Sequence, residues 1–241
     1  MHHDPEKSLP QRRKDAKNCR KELHFFAFPL RLCVFAVCSG VLTMNGISID
    51  RADFAAIAQW VKPGARVLDL GCGDGVLFKY LKRERAISGY GVEIDDANVL
   101  ACVKNGVNVI QRNLERGLRE FDDQSFDYVI LSQTLQAMRN GERILHEMLR
   151  VGREGIVTFP NFGYWRNRVH VLRGRMPVSD SLPYQWFDTP NIHLCTLDDF
   201  EQFCSERNVR IIERKVLTGG RAVDLMPNLL GALAIYHFGA G

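Results

Sequence analysis

The sequence predicts an α/β domain built on a mainly parallel sheet, and two observations support that prediction. From residue 50 onward, segments with apolar residues at helical spacing alternate with short apolar segments typical of buried strands. The connections between them are short, as in chains whose helices cross over between neighbouring parallel strands. No internal repeat or low-complexity tract interrupts this order, so we expect one folded domain over residues 44–241.

The helices are expected where apolar residues recur every three to four positions. The first follows Ser48 or Asp50, either of which is a suitable N-cap, and it ends at Pro63-Gly64. Further helices are predicted over 76–85, 96–104, 141–150 and 196–207. The last of these opens with a capping box in which Asp199 replaces the usual Glu. Seven strands are predicted, the last two as an antiparallel hairpin: 66–70, 87–94, 107–110, 126–131, 155–159, 209–217 and 230–238.

The net charge of +4 does not indicate a nucleic-acid-binding surface. Residues 1–43 contain eight Lys or Arg and four Asp or Glu, so residues 44–241 are neutral overall. Because nucleic-acid-binding domains need a basic face, we expect no nucleic-acid partner. The seven cysteines include no Cys-x-x-Cys pair, so neither a metal site nor a disulfide framework is predicted. Free cysteines in apolar segments are typical of proteins in the reducing cytoplasm.

Residues 1–43 are predicted to be an N-terminal extension outside the folded domain. A basic stretch precedes an apolar one, as in a secretion signal. Pro29 and Arg31 interrupt the apolar part, and a central Arg opposes insertion into a membrane. Met44 leads directly into the first amphipathic helix, as a native N-terminus would. We therefore favour an extension upstream of a start at Met44 over a targeting segment, and we expect no membrane association.

The segment from Asp69 to Gly75 predicts a nucleotide-binding turn, because glycines at alternate positions lie between a strand and a helix. Glycine is needed where the backbone adopts positive φ or lies against a ligand. A dinucleotide site would have the spacing Gly-x-Gly-x-x-Gly, but Val76 occupies the third position. Asp69 would repel a diphosphate and attract an α-ammonium group. The predicted ligand is therefore a nucleoside that carries a zwitterionic amino acid, namely S-adenosylmethionine (SAM) or its product S-adenosylhomocysteine.

Three further positions at strand ends complete the predicted cofactor site. Glu93 ends the second strand, 18 residues after Gly75, and a carboxylate there suits the two ribose hydroxyls. Asn113 follows the third strand, where the adenine amino group would be met, and Ser132 ends the fourth strand. In isolation Glu93 would be an exposed strand-end carboxylate and Ser132 a simple turn hydroxyl. The predicted cofactor-binding set is Asp69, Gly71, Cys72, Gly73, Glu93, Ile94, Asn113, Leu114 and Ser132.

Residues 160–195 break the alternation with four prolines among aromatic and basic residues, and we expect them to cover the rim of the cleft. His170 fits a solvated helix position, whereas His193 beside Asp188 is a candidate substrate contact. The aromatic residues of this segment fit a substrate pocket, a partner surface or plain core equally well: Tyr184, Trp186 and Phe187. Its arginines fit a solvated helix face better than a phosphate site: Arg166, Arg168, Arg173 and Arg175.

No catalytic group can be assigned from the sequence. The stretch after the fourth strand, residues 132–136, contains no Asn/Asp-Pro-Pro-aromatic motif, which would mark methyl transfer to a base amino group. Its Ser and Gln side chains do not titrate near neutral pH, so no general base is evident. Methyl transfer from a sulfonium depends largely on proximity and desolvation, so a catalytic role stays open.

With these motifs, residues 50–241 resemble the class I SAM-dependent methyltransferases, and more specifically the MetW family of methionine biosynthesis. The specific resemblance lies in residues 127–136, 159–166, 174–178, 182–184 and 188–193. The fold it implies is a Rossmann-like three-layer sandwich with a seven-stranded, mostly parallel sheet and an antiparallel C-terminal hairpin strand. One departure is Asn113, where the family usually has Asp; Asn keeps a carbonyl acceptor for the adenine amino group.

The resemblance also implies a function in methionine biosynthesis. Members of this family are associated with a homoserine O-acyltransferase, so this chain is expected to bind SAM and to act as its accessory or regulatory partner. The alternative is an active SAM-dependent methyltransferase on an unidentified small molecule.

Overall fold

The fold is described from a computed structural model, which describes residues 51–179 and 181–241. The predicted extension 1–43, the start at Met44 and the proposed caps Ser48 and Asp50 lie outside the described residues. The first helix has Arg51 at its N-cap position, and no side chain caps it.

The strands form one sheet whose central part is parallel, as predicted. In chain order they are β1 (Arg66–Leu70), β2 (Ser88–Glu93), β3 (Val109–Gln111), β4 (Phe126–Ser132), β5 (Gly152–Pro160), β6 (Val209–Thr218), β7 (Arg221–Ala222) and β8 (Leu233–Ala240). Their order across the sheet is β3-β2-β1-β4-β5-β8-β6-β7. Strands β1 to β5 pair in parallel, and β8 is antiparallel to both β5 and β6.

The predicted number of seven strands is wrong by one, because β7 was not foreseen. This two-residue strand pairs with the end of β6 after a tight turn. Two residues are too few to produce the period-2 pattern by which strands are predicted.

The five helices whose bounds were predicted are all present, and two more occur in the described part of the chain, one around His170 and a short one before β8. They are α1 (Ala52–Trp60), α2 (Val76–Arg85), α3 (Asp96–Lys104), α4 (Gly141–Val151), α5 (Trp165–Leu172), α6 (Leu197–Glu206) and α7 (Pro227–Leu230). The predicted capping box at α6 is present, since Thr196 Oγ1 accepts from Asp199 N at 3.2 Å and Thr196 N donates to Asp199 Oδ2 at 2.8 Å. Within the described residues, no helix combines the length and the apolar character needed to cross a membrane.

The core lies on both faces of the sheet, which gives the described domain three layers. Alternate residues of β4 enter different apolar clusters, Val129 and Leu131 on one face and Tyr128 and Ile130 on the other. Side chains of α4 and α6 complete the first cluster, and those of α1 and α2 complete the second. A parallel sheet buried on both faces in this way presents its carboxyl edge to ligands.

Candidate functional site

The glycine loop connects β1 to α2 at the carboxyl edge of the sheet. It is fastened to β2, since Gly71 N and Cys72 N both donate to Val92 O, at 2.8 Å and 3.1 Å. Gly71 and Gly73 have φ of +66° and +55°, a region that favours glycine. A Cβ on Gly71 would lie 2.7 Å from Thr134 Oγ1, whereas a Cβ on Gly73 would meet nothing within 4 Å. Gly71 is therefore required by packing, and Gly73 leaves bare backbone beside open space.

Asp69 is a buried acid one residue before the end of β1, and it is only 1% exposed. Neither of its oxygens accepts a hydrogen bond from any residue that the structure describes. Burial, followed by the negative charge of Glu93, raises the pKa of Asp69 to about 8. A buried acid without a partner is costly, and strongly perturbed acids of this kind cluster at ligand sites. A cation beside Asp69 would supply the missing partner.

Glu93 joins the end of β2 to the glycine loop. Its Oε2 accepts from Gly73 N at 2.9 Å, and its Oε1 accepts from Ile94 N at 2.7 Å and Asp95 N at 3.0 Å. A carboxylate offers about four lone-pair positions, so these three backbone donors leave one, on Oε2. The side chain is buried rather than a free carboxylate at a strand end.

The thiol of Cys72 lies beneath the loop rather than on its open side. Cys72 Sγ is 3.6 Å from Cys102 Sγ, and Cys102 Sγ donates to Gly73 O at 3.1 Å. Burial is the largest cause of the raised pKa of both thiols. Because the thiolate is the reactive form, these two cysteines are expected to be unreactive. Their contacts support the glycine loop on the side facing the core.

The other predicted contacts lie along the same edge. Ile94 is 58% exposed, which is unusual for a large apolar side chain next to a buried acid. Arg112 N donates to Glu93 O at 2.8 Å and so brings the end of β3 beside β2. Asn113 Oδ1 accepts from Glu115 N at 2.9 Å and caps a short 3-10 helix, and Leu114 packs into the core.

Ser132 ends β4 next to the glycine loop, since Asp69 and Ile130 are paired in the sheet. Its hydroxyl lies 3.2 Å from Thr158 Oγ1. Two neighbours of Ser132 were not predicted as site residues: Thr134, which packs against Gly71, and Gln133, which has a φ of +51°. A non-glycine residue at positive φ is uncommon and is often found at functional sites. Neither feature depends on local sequence, because both arise where β4 meets the loop.

Residues 160–195 contain α5, and we call them the cover segment. They are attached to the stretch that follows β4, where Gln136 O accepts from Ile192 N at 2.7 Å and from His193 N at 3.0 Å. His193 Nε2 is also 3.2 Å from Arg139 O, which supports a structural role for this histidine. Trp186 and Phe187 are 73% and 70% exposed, so the plain-core interpretation of these aromatic residues is wrong.

No metal centre is evident in the part of the chain that the structure describes, since no three His, Cys, Asp or Glu side chains there are grouped suitably for a metal ion. The edge brings together four features that differ from a metal centre. They are a partnerless buried acid, a bare glycine backbone, a second acid with one free acceptor position and an exposed apolar side chain.

The fold is that of the class I SAM-dependent methyltransferases. A SAM-dependent methyltransferase of Thermotoga maritima superposes with a TM-score of 0.58 at 19% identity, over 78% of this chain and 87% of that one. At this identity the likeness establishes the fold alone. The family model described as methionine biosynthesis protein MetW matches residues 51–238, and the chain belongs to that family.

Two relatives show how the match extends. The bifunctional methionine biosynthesis protein MetXA/MetW of Rhodopirellula baltica is 40% identical in an alignment of 201 residues that covers 77% of this chain and 32% of that protein. A ubiquinone biosynthesis O-methyltransferase of Hahella chejuensis is 30% identical over 121 residues, 48% of this chain and 49% of that one. The chain thus spans about a third of the first relative and about half of the second.

Proposed function

We propose that this chain binds SAM, or S-adenosylhomocysteine, at the glycine loop and acts in methionine biosynthesis as an accessory partner of a homoserine O-acyltransferase. The observation that carries the proposal is Asp69, a buried acid whose oxygens have no partner within the described structure. An α-ammonium group supplies the charge that this carboxylate lacks. A phosphate would not, because it would add negative charge to a place where Asp69 and Glu93 already repel each other.

The remaining groups suit the other parts of the same ligand. The bare backbone at Gly73 admits the amino-acid moiety. The free acceptor position on Glu93 Oε2 suits one ribose hydroxyl, so the second hydroxyl would have to displace a backbone donor or find another partner. Ile94 offers an apolar face for adenine, and Asn113 Oδ1 keeps one acceptor position for the adenine amino group.

Calorimetric titration of the full chain tests this binding site. We expect saturable heats with SAM and with S-adenosylhomocysteine, and no binding of ATP, which carries the same nucleoside with a triphosphate. Absence of binding at millimolar SAM would contradict the proposed ligand. Binding of ATP as strong as that of SAM would contradict the assignment of Asp69 as an ammonium contact.

The partner is proposed from the relatives. The Rhodopirellula baltica protein is named for a MetXA part and a MetW part within one protein, and this chain matches about a third of it. Two functions joined in one protein are often two proteins that work together elsewhere. We expect purified acyltransferase from the same organism to show a severalfold change in activity when this chain is added. An unchanged rate at saturating chain, with and without SAM, would contradict the accessory role.

The alternative is an active methyltransferase on a small molecule, and the sequence similarity to the O-methyltransferase of Hahella chejuensis favours it. Proximity to the sulfonium supplies much of the rate in such reactions, so a missing base does not exclude it. Incubation with methyl-labelled SAM and a metabolite extract tests this function. Repeated turnover into a labelled small molecule would overturn the accessory role as the main function.

A further inference from the structure

We propose that the exposed side of the cover segment is a protein-docking face and that its partner is the acyltransferase. The acyltransferase would contribute an apolar anchor side chain surrounded by acidic residues. This inference rests on the proposed function and names the surface by which that function would be carried out. The face comprises the exposed side chains around a groove lined by Met176, Tyr184, Trp186 and Leu194, together with Phe187 beside Trp186 and the arginines that precede Met176 in the chain.

The first observation is the concentration of large apolar side chains in solvent. Trp186 and Phe187 are 73% and 70% exposed, and their rings lie edge to face with centroids 5.7 Å apart. Single exposed apolar residues are common, but contiguous apolar patches mark interaction sites. Tryptophan, tyrosine, methionine and arginine, all present here, are the residues enriched at the energetic centres of interfaces.

The second observation is an open groove in this face. Its empty volume, which includes space open to solvent, is about 360 Å³, and its walls include Met176, Tyr184, Trp186 and Leu194. A groove of this kind accepts one bulky apolar side chain from a partner, in the way that interface anchors fill pockets. Methionine in the wall suits it to this task, because its flexible thioether adapts to the shape of an inserted group.

The third observation is charge. Residues 165–194 carry four arginines and two aspartates, whereas residues 44–241 as a whole are neutral. Arg166, Arg173 and Arg175 are exposed, and none of them forms an ion pair with another described residue. A basic face opposes a two-fold contact with its own copy, since the same patch would meet itself. It favours a different protein with acidic residues around its anchor.

The fourth observation connects the face to the glycine loop. The cover segment is bonded to Gln136 and Arg139, and Thr134 in the same stretch packs against Gly71. Residues 132–139 therefore contact the glycine loop on one side and the docking segment on the other. An accessory protein that reports SAM to a partner requires this kind of adjacency.

Binding of purified acyltransferase to the full chain, followed by surface-plasmon resonance, tests the face. The double variants Trp186→Ser/Phe187→Ser and Arg173→Glu/Arg175→Glu should each weaken binding roughly 30-fold, the loss typical of interface hot spots. The matched controls are Leu225→Ser and Arg119→Glu, which change an equally exposed apolar and an equally exposed basic residue outside the segment. Both controls should bind as the wild type does.

The variants should have the same melting temperature and SAM affinity as the wild type, because all of the changed side chains are exposed. If the wild type does not bind the acyltransferase, the proposed partnership fails. If the wild type binds and the cover variants bind equally well, the partnership stands and the docking face is wrong. Self-association that the same variants abolish, or binding of the wild type to anionic phospholipid vesicles in place of the acyltransferase, would overturn the assigned partner.

Discussion

Asp69 makes the unliganded protein less stable than it would be with a neutral residue at this position. Its pKa in the folded state, about 8, lies above the ordinary value of 3.8. The folded state therefore holds a proton that the unfolded chain releases. By linkage, the stability of the unliganded protein falls as the pH rises from about 4 to about 8, and this contribution is constant above that range. Such a cost persists where function requires the group.

We predict that Asp69→Asn stabilises the unliganded chain and weakens SAM binding. The neutral amide escapes the penalty for a buried charge, so the free energy of unfolding at pH 8 should rise by on the order of 1–3 kcal/mol, and the gain should shrink toward pH 5. SAM affinity should fall at least about tenfold, as one lost charged contact implies. Asp53→Asn is the matched control, because Asp53 is also buried but is paired with Arg51 at 2.9 Å. It should lower stability and leave SAM affinity unchanged.

A second prediction concerns protons rather than stability. An ammonium group beside Asp69 lowers the pKa of that carboxyl, so SAM binding at pH 7 should release protons, and affinity should rise with pH up to about 8. Calorimetry in two buffers of different ionisation enthalpy measures this release. Proton uptake, or release that persists in Asp69→Asn, would contradict the role given to this residue.

The glycines allow a third test at the residue scale, because two of them differ only in what they face. Gly64 and Gly73 both have positive φ, and a Cβ on either would meet nothing within 4 Å. Alanine at each position should therefore cost a similar 1–2 kcal/mol, roughly, from backbone strain alone. Gly73→Ala should also weaken SAM binding at least about tenfold, because its Cβ enters the ligand space, whereas Gly64→Ala should not. If calorimetry gave Gly73→Ala the same SAM affinity as Gly64→Ala, the loop would not be the site.

At the scale of elements, sequence patterns predicted the helices and strands whose bounds are set by residues close together in the chain. The bounds of α2 and α3 match their predictions because a glycine precedes the first and Asp95 caps the second through Asn98 N at 2.9 Å. The strand β7 and the four-residue helix α7 were not predicted, since such short elements depend on the partners they meet. In the site, Asp69 was predicted because it lies two residues before the first glycine of the loop, and Glu93 because it ends a strand 18 residues after Gly75. The contact of Thr134 with Gly71 joins distant residues and leaves no trace in the sequence.

The cover segment has a buried polar residue near its start, Asn161, whose role the hydrophobic periodicity of the sequence does not indicate. Asn161 is fully buried, and its amide donates to Asn228 O at 3.0 Å and to Gly231 O at 2.8 Å. Its Oδ1 accepts from Gly163 N at 2.9 Å. One side chain thus fixes the first turn of the cover segment to the stretch that precedes β8.

We predict that Asn161→Ala loosens the cover segment more than the rest of the chain. The change leaves three backbone groups without the partner that Asn161 supplies, two of them buried, so unfolding should become easier by on the order of 3 kcal/mol. Hydrogen exchange should show the largest loss of protection in residues 160–195, with the glycine loop little affected. Asn140→Ala, which changes an exposed amide, is the control. Uniform loss of protection would mean that the segment is not a separate cooperative unit.

At the scale of the whole molecule, the carboxyl edge of the sheet is divided between two tasks. The half formed by β1, β2 and β3 holds the proposed SAM site, and the half formed by β5 and β8 holds the cover segment. The stretch after β4 lies between them, where Thr134 meets Gly71 and Gln136 accepts from Ile192 and His193. Gln133 at its start is held at a φ of +51°, an arrangement that surrounding contacts must maintain.

This arrangement leads to a prediction about coupling. If the acyltransferase docks on the cover segment, SAM and the acyltransferase should change each other's affinity by the same factor, because coupling free energies are reciprocal. We expect a factor of about five or more, the lower end of typical allosteric coupling. Titrating SAM with and without saturating acyltransferase, and the acyltransferase with and without saturating SAM, measures both sides. Thr134→Ser, which removes the methyl group packed on Gly71, should reduce both factors together while each ligand alone still binds. Unequal factors would show that a third equilibrium, such as self-association, contributes, and factors of one would show that the two halves of the edge act independently.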